Sequence, residues 1–201
     1  MGQRMRRVTT VLIAATLMAG LAACGVPPWE AGNGSGGSSK PTATPSPIHV
    51  IKNDLATGST KRTLKAGDVT LTVNYFSSLD MGQWFASADK PISFAGSATL
   101  GTDDGQAVYL SKVTVNTTVQ GPKGALAAPP ALTDQASVSP GYFIKAPYSY
   151  SQTFVIPALD KKATSVTLSI VYELLQQTTP TSDQYSKQTA SDTLTIALAA
   201  P

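Results

Sequence analysis

Apolar and polar residues alternate along most of the chain after residue 48, with the period of two that is typical of strands with one buried face. The clearest alternating runs are 69–75, 92–100, 113–119, 154–156, 166–174 and 194–198. With a weaker opening strand at 48–51, they predict about seven strands, and turn residues such as Asp104-Gly105 lie between them. No segment shows a sustained helical period. The pattern predicts an all-β fold, an immunoglobulin-like antiparallel β-sandwich.

The alternation changes phase once inside a single predicted strand. Val108 and Leu110 lie in one phase, whereas Val113 and Val115 lie in the other. An extra residue in one strand shifts the side chains that follow it to the opposite face. We therefore expect a β-bulge or a change of sheet near Ser111.

About thirty residues separate the strand that ends near Val119 from the one that starts near Tyr150. A structureless loop of that length is unusual in a compact domain, so residues 142–145 are expected to form a short extra strand. The remaining stretch, 121–139, contains three prolines and few bulky apolar residues. We expect a long loop there that tolerates deletion and helps to form a partner surface.

The first 24 residues have the charge and hydropathy pattern of a secretory signal peptide. Arg4, Arg6 and Arg7 precede an apolar run at 8–21, and small residues follow it. The run of about 14 residues is shorter than the roughly 20 that a membrane-spanning helix needs. This order predicts export of the rest of the chain.

The residues that end this segment, Leu21-Ala22-Ala23-Cys24, resemble a bacterial lipobox. The resemblance implies that a lipoprotein signal peptidase cuts before Cys24 and that its sulfur carries a diacylglyceryl group. Two or more acyl chains hold a protein stably on a bilayer, whereas one chain does so only marginally. The alternatives are an ordinary cleaved signal peptide with a lone cysteine, or an uncleaved apolar helix.

These features divide the chain into three parts. Residues 1–23 are the predicted lipoprotein signal peptide, and residues 48–201 are the predicted sandwich domain. Between them, residues 24–47 contain the lipidated cysteine and a segment rich in Gly, Pro, Ser and Thr, which is expected to be a disordered tether.

Composition excludes several classes of function. The formal net charge of +3 includes three arginines before Cys24, which leaves 12 basic and 12 acidic residues in the rest of the chain. A neutral mature protein gives no electrostatic support for nucleic-acid binding. Cys24 is the only cysteine and His49 the only histidine, so we expect no disulfide, no metal site and no cofactor. The domain is expected to be monomeric.

The order of segments within 106–175 resembles the telokin-like, immunoglobulin-type modules of bacterial surface lipoproteins. It contains Val113-Thr114-Val115-Asn116, then Ser139-Pro140-Gly141, then Phe154-Val155-Ile156-Pro157, and last a Val/Thr/Leu-rich strand. The resemblance implies a fold and no shared enzyme chemistry.

Four aromatic residues lie within nine positions: Tyr142, Phe143, Tyr148 and Tyr150. Such a cluster would form a stacking surface for a sugar or an anchor for a protein partner. The alternative is that some of these side chains point inward as ordinary core residues.

The sequence thus predicts a lipid-anchored lipoprotein on the outer face of the bacterial cytoplasmic membrane. It would act as a non-catalytic binding or accessory module for cell-wall polymer or a membrane protein. No nucleophile elbow surrounds any serine, and His49 borders the tether, so a serine hydrolase is disfavoured. Two alternatives stay open: an enzyme of unfamiliar type that uses carboxylates, and a structural surface spacer.

The anchoring hypothesis predicts the fate of the Cys24→Ala variant. Without the thiol that accepts the lipid, the precursor should stay uncleaved and unacylated. Mass spectrometry of the N-terminus and partitioning into detergent measure both properties. A wild-type protein that stays in the aqueous phase with a free thiol would contradict the hypothesis.

Overall fold

The computed structural model describes residues 51–200. The predicted signal peptide, Cys24, the tether, His49 and positions 48–50 of the predicted opening strand lie outside this range. Within residues 51–200, no helix has the length and hydropathy needed to cross a membrane.

The described chain forms ten β-strands and one turn of 3₁₀ helix, Met81–Gln83. The strands are β1 Ser59–Ala66, β2 Val69–Phe76, β3 Lys90–Leu100, β4 Val108–Gly121, β5 Gly124–Leu126, β6 Leu132–Gln135, β7 Tyr142–Phe143, β8 Tyr150–Ile156, β9 Ser165–Gln177 and β10 Tyr185–Ala197.

The strands form two antiparallel sheets that pack as a sandwich, so the predicted fold class is confirmed. One sheet has the order β1-β2-β3-β8. The other has the order β10-β9-β4, with β5, β6 and β7 paired in succession to the second edge of β4. The rows β2-β3-β8 and β10-β9-β4 reproduce the A-B-E and G-F-C orders of an immunoglobulin sandwich.

Six of the seven predicted strands lie where the alternation placed them. Of the seventh, at 48–51, the structure describes only Ile51, which is outside any strand, and the first described strand is β1. The inward positions of β1 include Thr60, Arg62 and Leu64. Since most of these side chains are polar, hydropathy does not reveal the strand.

The phase change near Ser111 is a β-bulge. The register between β4 and β9 shifts between Leu110 and Lys112, and both halves of β4 pair with the same partner strand. As a result Leu110, Val113 and Val115 all have buried side chains. The prediction of a bulge is confirmed, and a change of sheet does not occur.

The stretch 121–139 is more ordered than expected, and the extra strand beyond it is shorter. Strand β5 forms a hairpin with the end of β4, and β6 pairs with residues 112–115 of β4. This pairing provides hydrogen-bond partners for the backbone groups at the edge of β4 and needs no apolar side chains. The alternation of apolar and polar residues therefore does not predict these two strands. Strand β7 confirms the predicted extra strand but contains two residues.

Aromatic side chains connect the two sheets at the centre of the core. The Phe94 ring lies 5.1 Å from Tyr75 and 5.0 Å from Phe154, centroid to centroid. Across the interface the Tyr172 hydroxyl donates to the Tyr75 hydroxyl at 3.1 Å. Burial raises the pKa of both tyrosines, so both hydroxyls stay protonated and retain this bond.

One side of the sandwich is closed by the carboxylate of Asp54, which precedes β1. The Asp54 amide donates to the Thr195 carbonyl at 2.7 Å, and the Thr195 amide donates to Asp54 Oδ2 at 2.8 Å. Arg62 of β1 donates to Asp54 Oδ1 at 2.7 Å, and Lys52 lies 3.0 Å from the same oxygen. Asp54 therefore ties the edge strands β1 and β10 together.

The other side is closed by Ile144, just after β7. Its amide donates to the Val108 carbonyl at 3.0 Å, and its carbonyl accepts from the Ala98 amide at 2.8 Å. The Ile144 side chain is fully buried. This single residue therefore joins β4 of one sheet to β3 of the other.

The Asp54 contacts predict a pH-dependent contribution to stability. Burial alone would raise the pKa of Asp54, but the Thr195 hydrogen bond and the nearby Lys52 and Arg62 charges outweigh it and lower the pKa. A lowered carboxylate pKa contributes stability that is present at neutral pH and is lost as pH falls through the folded-state pKa. Asp54→Ala should cost about 1–3 kcal/mol at pH 7.

Urea denaturation between pH 7 and pH 3 checks this prediction. The difference between wild type and Asp54→Ala should shrink toward the acid end, whereas the exposed Asp183→Asn control should differ little from wild type throughout. A constant difference at all pH values would show that the charge of Asp54 is not what stabilises the edge.

Candidate functional site

The structure separates the four aromatic residues that the sequence grouped into one candidate surface. Tyr150 is only 8% exposed, and its ring stacks on Tyr142 at a centroid distance of 5.7 Å. Phe143 and Tyr148 point outward, with 38% and 59% of their surface exposed. Two of the four thus face solvent, whereas Tyr142 is half-buried and Tyr150 is buried.

The outward pair continues into a longer row of rings that we call the aromatic strip: Tyr148, Phe143, Tyr109 and Tyr185. Successive centroids are 5.0 Å, 5.5 Å and 5.8 Å apart. The interplanar angles of 56° to 81° are tilted or edge-on arrangements, which aromatic pairs prefer. The rings therefore form one continuous surface.

Three strands and one turn bring these rings together. Tyr109 and Phe143 are register partners on β4 and β7, and both follow the outward phase of their strands. Tyr185 is the first residue of β10. Tyr148 lies in the connection to β8, where its amide donates to the Lys145 carbonyl at 3.0 Å.

A groove of about 650 Å³ adjoins the aromatic strip. We call it the polar groove, and its lining residues include Asp134, Ser149, Ser151, Gln152 and the rings of Tyr142 and Phe143. It lies where β6, β7 and β8 meet. A ligand on the strip would therefore find hydroxyl, amide and carboxylate groups beside the rings.

Asp134 in the polar groove is held by a buried hydroxyl. Tyr150 donates to Asp134 Oδ2 at 2.6 Å. Burial and the neighbouring Asp134 carboxylate raise the pKa of Tyr150, so this hydroxyl remains a donor at all ordinary pH values. The bond fixes one oxygen of Asp134 and orients the carboxylate in the groove.

The polar groove contains few groups that could take part in acid–base chemistry. Among its lining residues it has a single carboxylate, already engaged by Tyr150. Glycoside hydrolysis by the common mechanisms needs two facing carboxyl groups. Within residues 51–200 no group of three or more His, Cys, Asp or Glu side chains is placed to hold a metal ion.

Sequence reasoning missed Tyr109, Tyr185 and Asp134. Tyr109 lies between the buried Val108 and Leu110, so the alternation of the strand could have predicted that its side chain points outward. Tyr185 is 37 positions after Tyr148, and Asp134 lies 25 positions after Tyr109 and 9 before Phe143. Both join the surface only through strand pairing.

No protein-family model matches this chain, and no curated protein matches its sequence. The resemblances to bacterial lipoproteins and to telokin-like modules therefore remain predictions.

The two roles of the tyrosines predict different effects on stability. Tyr148→Ala removes an exposed ring and should change the free energy of unfolding by less than about 0.5 kcal/mol. Tyr150→Phe removes the buried donor to Asp134 and should cost about 1–2 kcal/mol. Urea denaturation at pH 7 measures both, and a larger loss for Tyr148→Ala than for Tyr150→Phe would contradict the assignment.

Proposed function

We propose that this protein is a non-catalytic binding module, anchored to the outer face of the bacterial cytoplasmic membrane through acylated Cys24, that binds cell-wall polysaccharide on its aromatic strip. The observation that carries the proposal is the aromatic strip beside the polar groove, in which Tyr148 and Phe143 are exposed and Tyr109 and Tyr185 are half-buried. Each pyranose ring has a face of C–H groups that packs on an aromatic ring, while its hydroxyls bind polar side chains.

The outer face of the six-stranded sheet supports an uncharged ligand. Below the strip, its outward positions are mostly hydroxyl and amide side chains: Thr114, Asn116, Thr118, Thr167, Ser169, Thr193 and Thr195. Glu173 and Lys187 on this face form a salt bridge, and Lys112, the register partner of Glu173, adds one positive charge. A face with few charges and many hydroxyl and amide groups suits a polymer of hydroxyl groups.

The position of the strip supports an anchored module. Ile51, which follows the proposed tether, lies beside Ala197 at the end of β10, whereas Tyr185 lies at the start of the same strand. Twelve residue steps of about 3.3 Å make that strand roughly 40 Å long. A tether that enters at one end leaves the rings at the other end free to contact the wall.

The two alternatives make different demands on this surface. A carboxylate enzyme would need converging acidic groups, and the polar groove has one. A passive spacer would not need exposed aromatic rings, which are uncommon on surfaces that contact only water.

Co-sedimentation with purified, protein-free cell-wall polysaccharide tests the proposal. The full mature protein should bind in a saturable manner, because each stacked ring contributes to affinity. Tyr148→Ala and Phe143→Ala should each weaken binding by about tenfold or more. Val155→Ala is the matched control, since Val155 is 49% exposed but belongs to the other sheet.

Crosslinking in intact cells separates the polysaccharide from a protein partner. If the polysaccharide does not sediment the protein, and one membrane protein is recovered by wild type but not by Tyr148→Ala, the partner is a protein. Equal sedimentation of wild type and both ring variants would show that the strip is not the binding site.

A further inference from the structure

A second concave site lies at the end of the sandwich opposite the aromatic strip. It is a cavity of about 640 Å³, within the range typical of small-molecule sites. Three segments form its walls: residues 85–87, 161–164 and 197–200. Ile51 and Pro122 lie at its rim.

Backbone hydrogen bonds hold the three walls together. The Ala199 amide donates to the Trp84 carbonyl at 3.1 Å, and Phe85 and Ala199 form a parallel bridge. The Leu198 amide donates to the Thr164 carbonyl at 2.9 Å. The cavity is therefore formed before any ligand arrives, which lowers the entropic cost of binding.

A buried lysine fixes one wall further. Lys90 has no exposed surface, and its ammonium donates to the carbonyls of Ala86 at 3.3 Å and Pro157 at 3.1 Å, and also to that of Ala88. It thereby ties the 85–88 segment to the end of β8. This lysine stabilises the wall and does not line the cavity.

The lining of the cavity is apolar, and its mouth is cationic. Phe85, Ala86, Ala163 and Leu198 supply apolar surface inside. Two exposed lysines, Lys161 and Lys162, lie in the turn at the start of the 161–164 segment. In that turn the Asp160 carboxylate accepts from the Lys162 amide at 2.8 Å, so one acidic group offsets part of the charge. An apolar cavity with positive groups at its mouth matches an acyl chain with an anionic head.

We propose that this cavity takes an acyl chain of an anionic membrane lipid, with the headgroup at Lys161 and Lys162. The site is separate from the aromatic strip, and only its closeness to the bilayer rests on the proposed anchor. Ile51 at the rim is 27 residues from Cys24, and a chain of that length with the Gly/Ser-like composition of the expected tether would span roughly 25–30 Å. The end of the domain that holds the cavity can therefore reach the lipid surface.

Titration with cis-parinarate, a fluorescent long-chain fatty acid anion, tests the proposal. The protein is the whole mature chain from residue 24 with Cys24→Ala, which leaves the described domain unchanged and removes the predicted acyl group. We expect saturable fluorescence, and competition by vesicles that contain phosphatidylglycerol more than by vesicles of phosphatidylcholine alone.

Two variants and one control localise the binding. Ser87→Trp places an indole at the exposed mouth and should weaken binding at least about tenfold, because a blocked apolar cavity forfeits most of its buried contact area. Lys161→Gln with Lys162→Gln should weaken it several-fold and reduce its salt dependence. Lys61→Gln with Lys65→Gln removes the same charge from the outward side of β1 and should have no effect.

Melting temperatures show whether each variant is folded. A lack of saturable binding by the folded Cys24→Ala chain would overturn the proposal, as would unchanged binding by a folded Ser87→Trp variant. A further outcome is that the acylated wild type does not bind parinarate while Cys24→Ala does. The protein's own acyl group would then fill the cavity, and the proposal of a membrane lipid would fail. Tyr148→Ala should bind parinarate normally, so failure here is distinguishable from failure at the aromatic strip.

Discussion

The bulge at Ser111 is the constraint on which both faces of the larger sheet depend. Leu110 and Val113 are an odd number of positions apart, so in a regular strand one of them would face solvent. The extra residue turns both inward, and each buried Val or Leu contributes about 1.5–3 kcal/mol. The Ser111 hydroxyl donates to the Glu173 carbonyl at 3.0 Å, and its carbonyl accepts from Ala136 at 2.9 Å. The polar groups that the bulge displaces are therefore satisfied.

The same bulge sets the path of the chain toward the aromatic strip. Gly141 crosses so close to it that an added Cβ would lie 2.6 Å from the Leu110 carbonyl oxygen. Only a glycine permits this approach, and it places Tyr142 and Phe143 in register with Leu110 and Tyr109. A larger residue would force β7 away from β4, and the rings of Phe143 and Tyr109 would separate. The aromatic strip thus depends on backbone packing at Gly141, two residues before Phe143.

How much of the fold can be predicted from the sequence depends on whether the inward side chains of each strand are apolar. Strands that face the core on one side show clear alternation, and even the bulge and the short strand β7 were predictable. Strand β1 was not predictable, because its inward Arg62 is polar. The charge of Arg62 is paired with Asp54, and no local sequence pattern reveals that contact. The pairing of β7 with β4 decides which side chains of the aromatic cluster face inward and which face outward. The cluster consists of Tyr142, Phe143, Tyr148 and Tyr150. Tyr185 joined the strip only through the β9–β10 pairing, which sequence distance conceals.

Contacts at the two sides of the sandwich limit where a partner strand could add to the sheets. Asp54 joins the edges of β1 and β10, and Ile144 joins β3 to β4, so strand addition is obstructed where these contacts lie. The β5 and β6 strands cover most of what remains of the β4 edge. In the described domain, the outer edge of β8, which pairs only with β3, stays open. One end of the sandwich has exposed rings with polar neighbours, and the other has an apolar cavity with a cationic mouth. Because these surfaces lie at opposite ends of strands roughly 40 Å long, a ligand at one proposed site would not contact a ligand at the other.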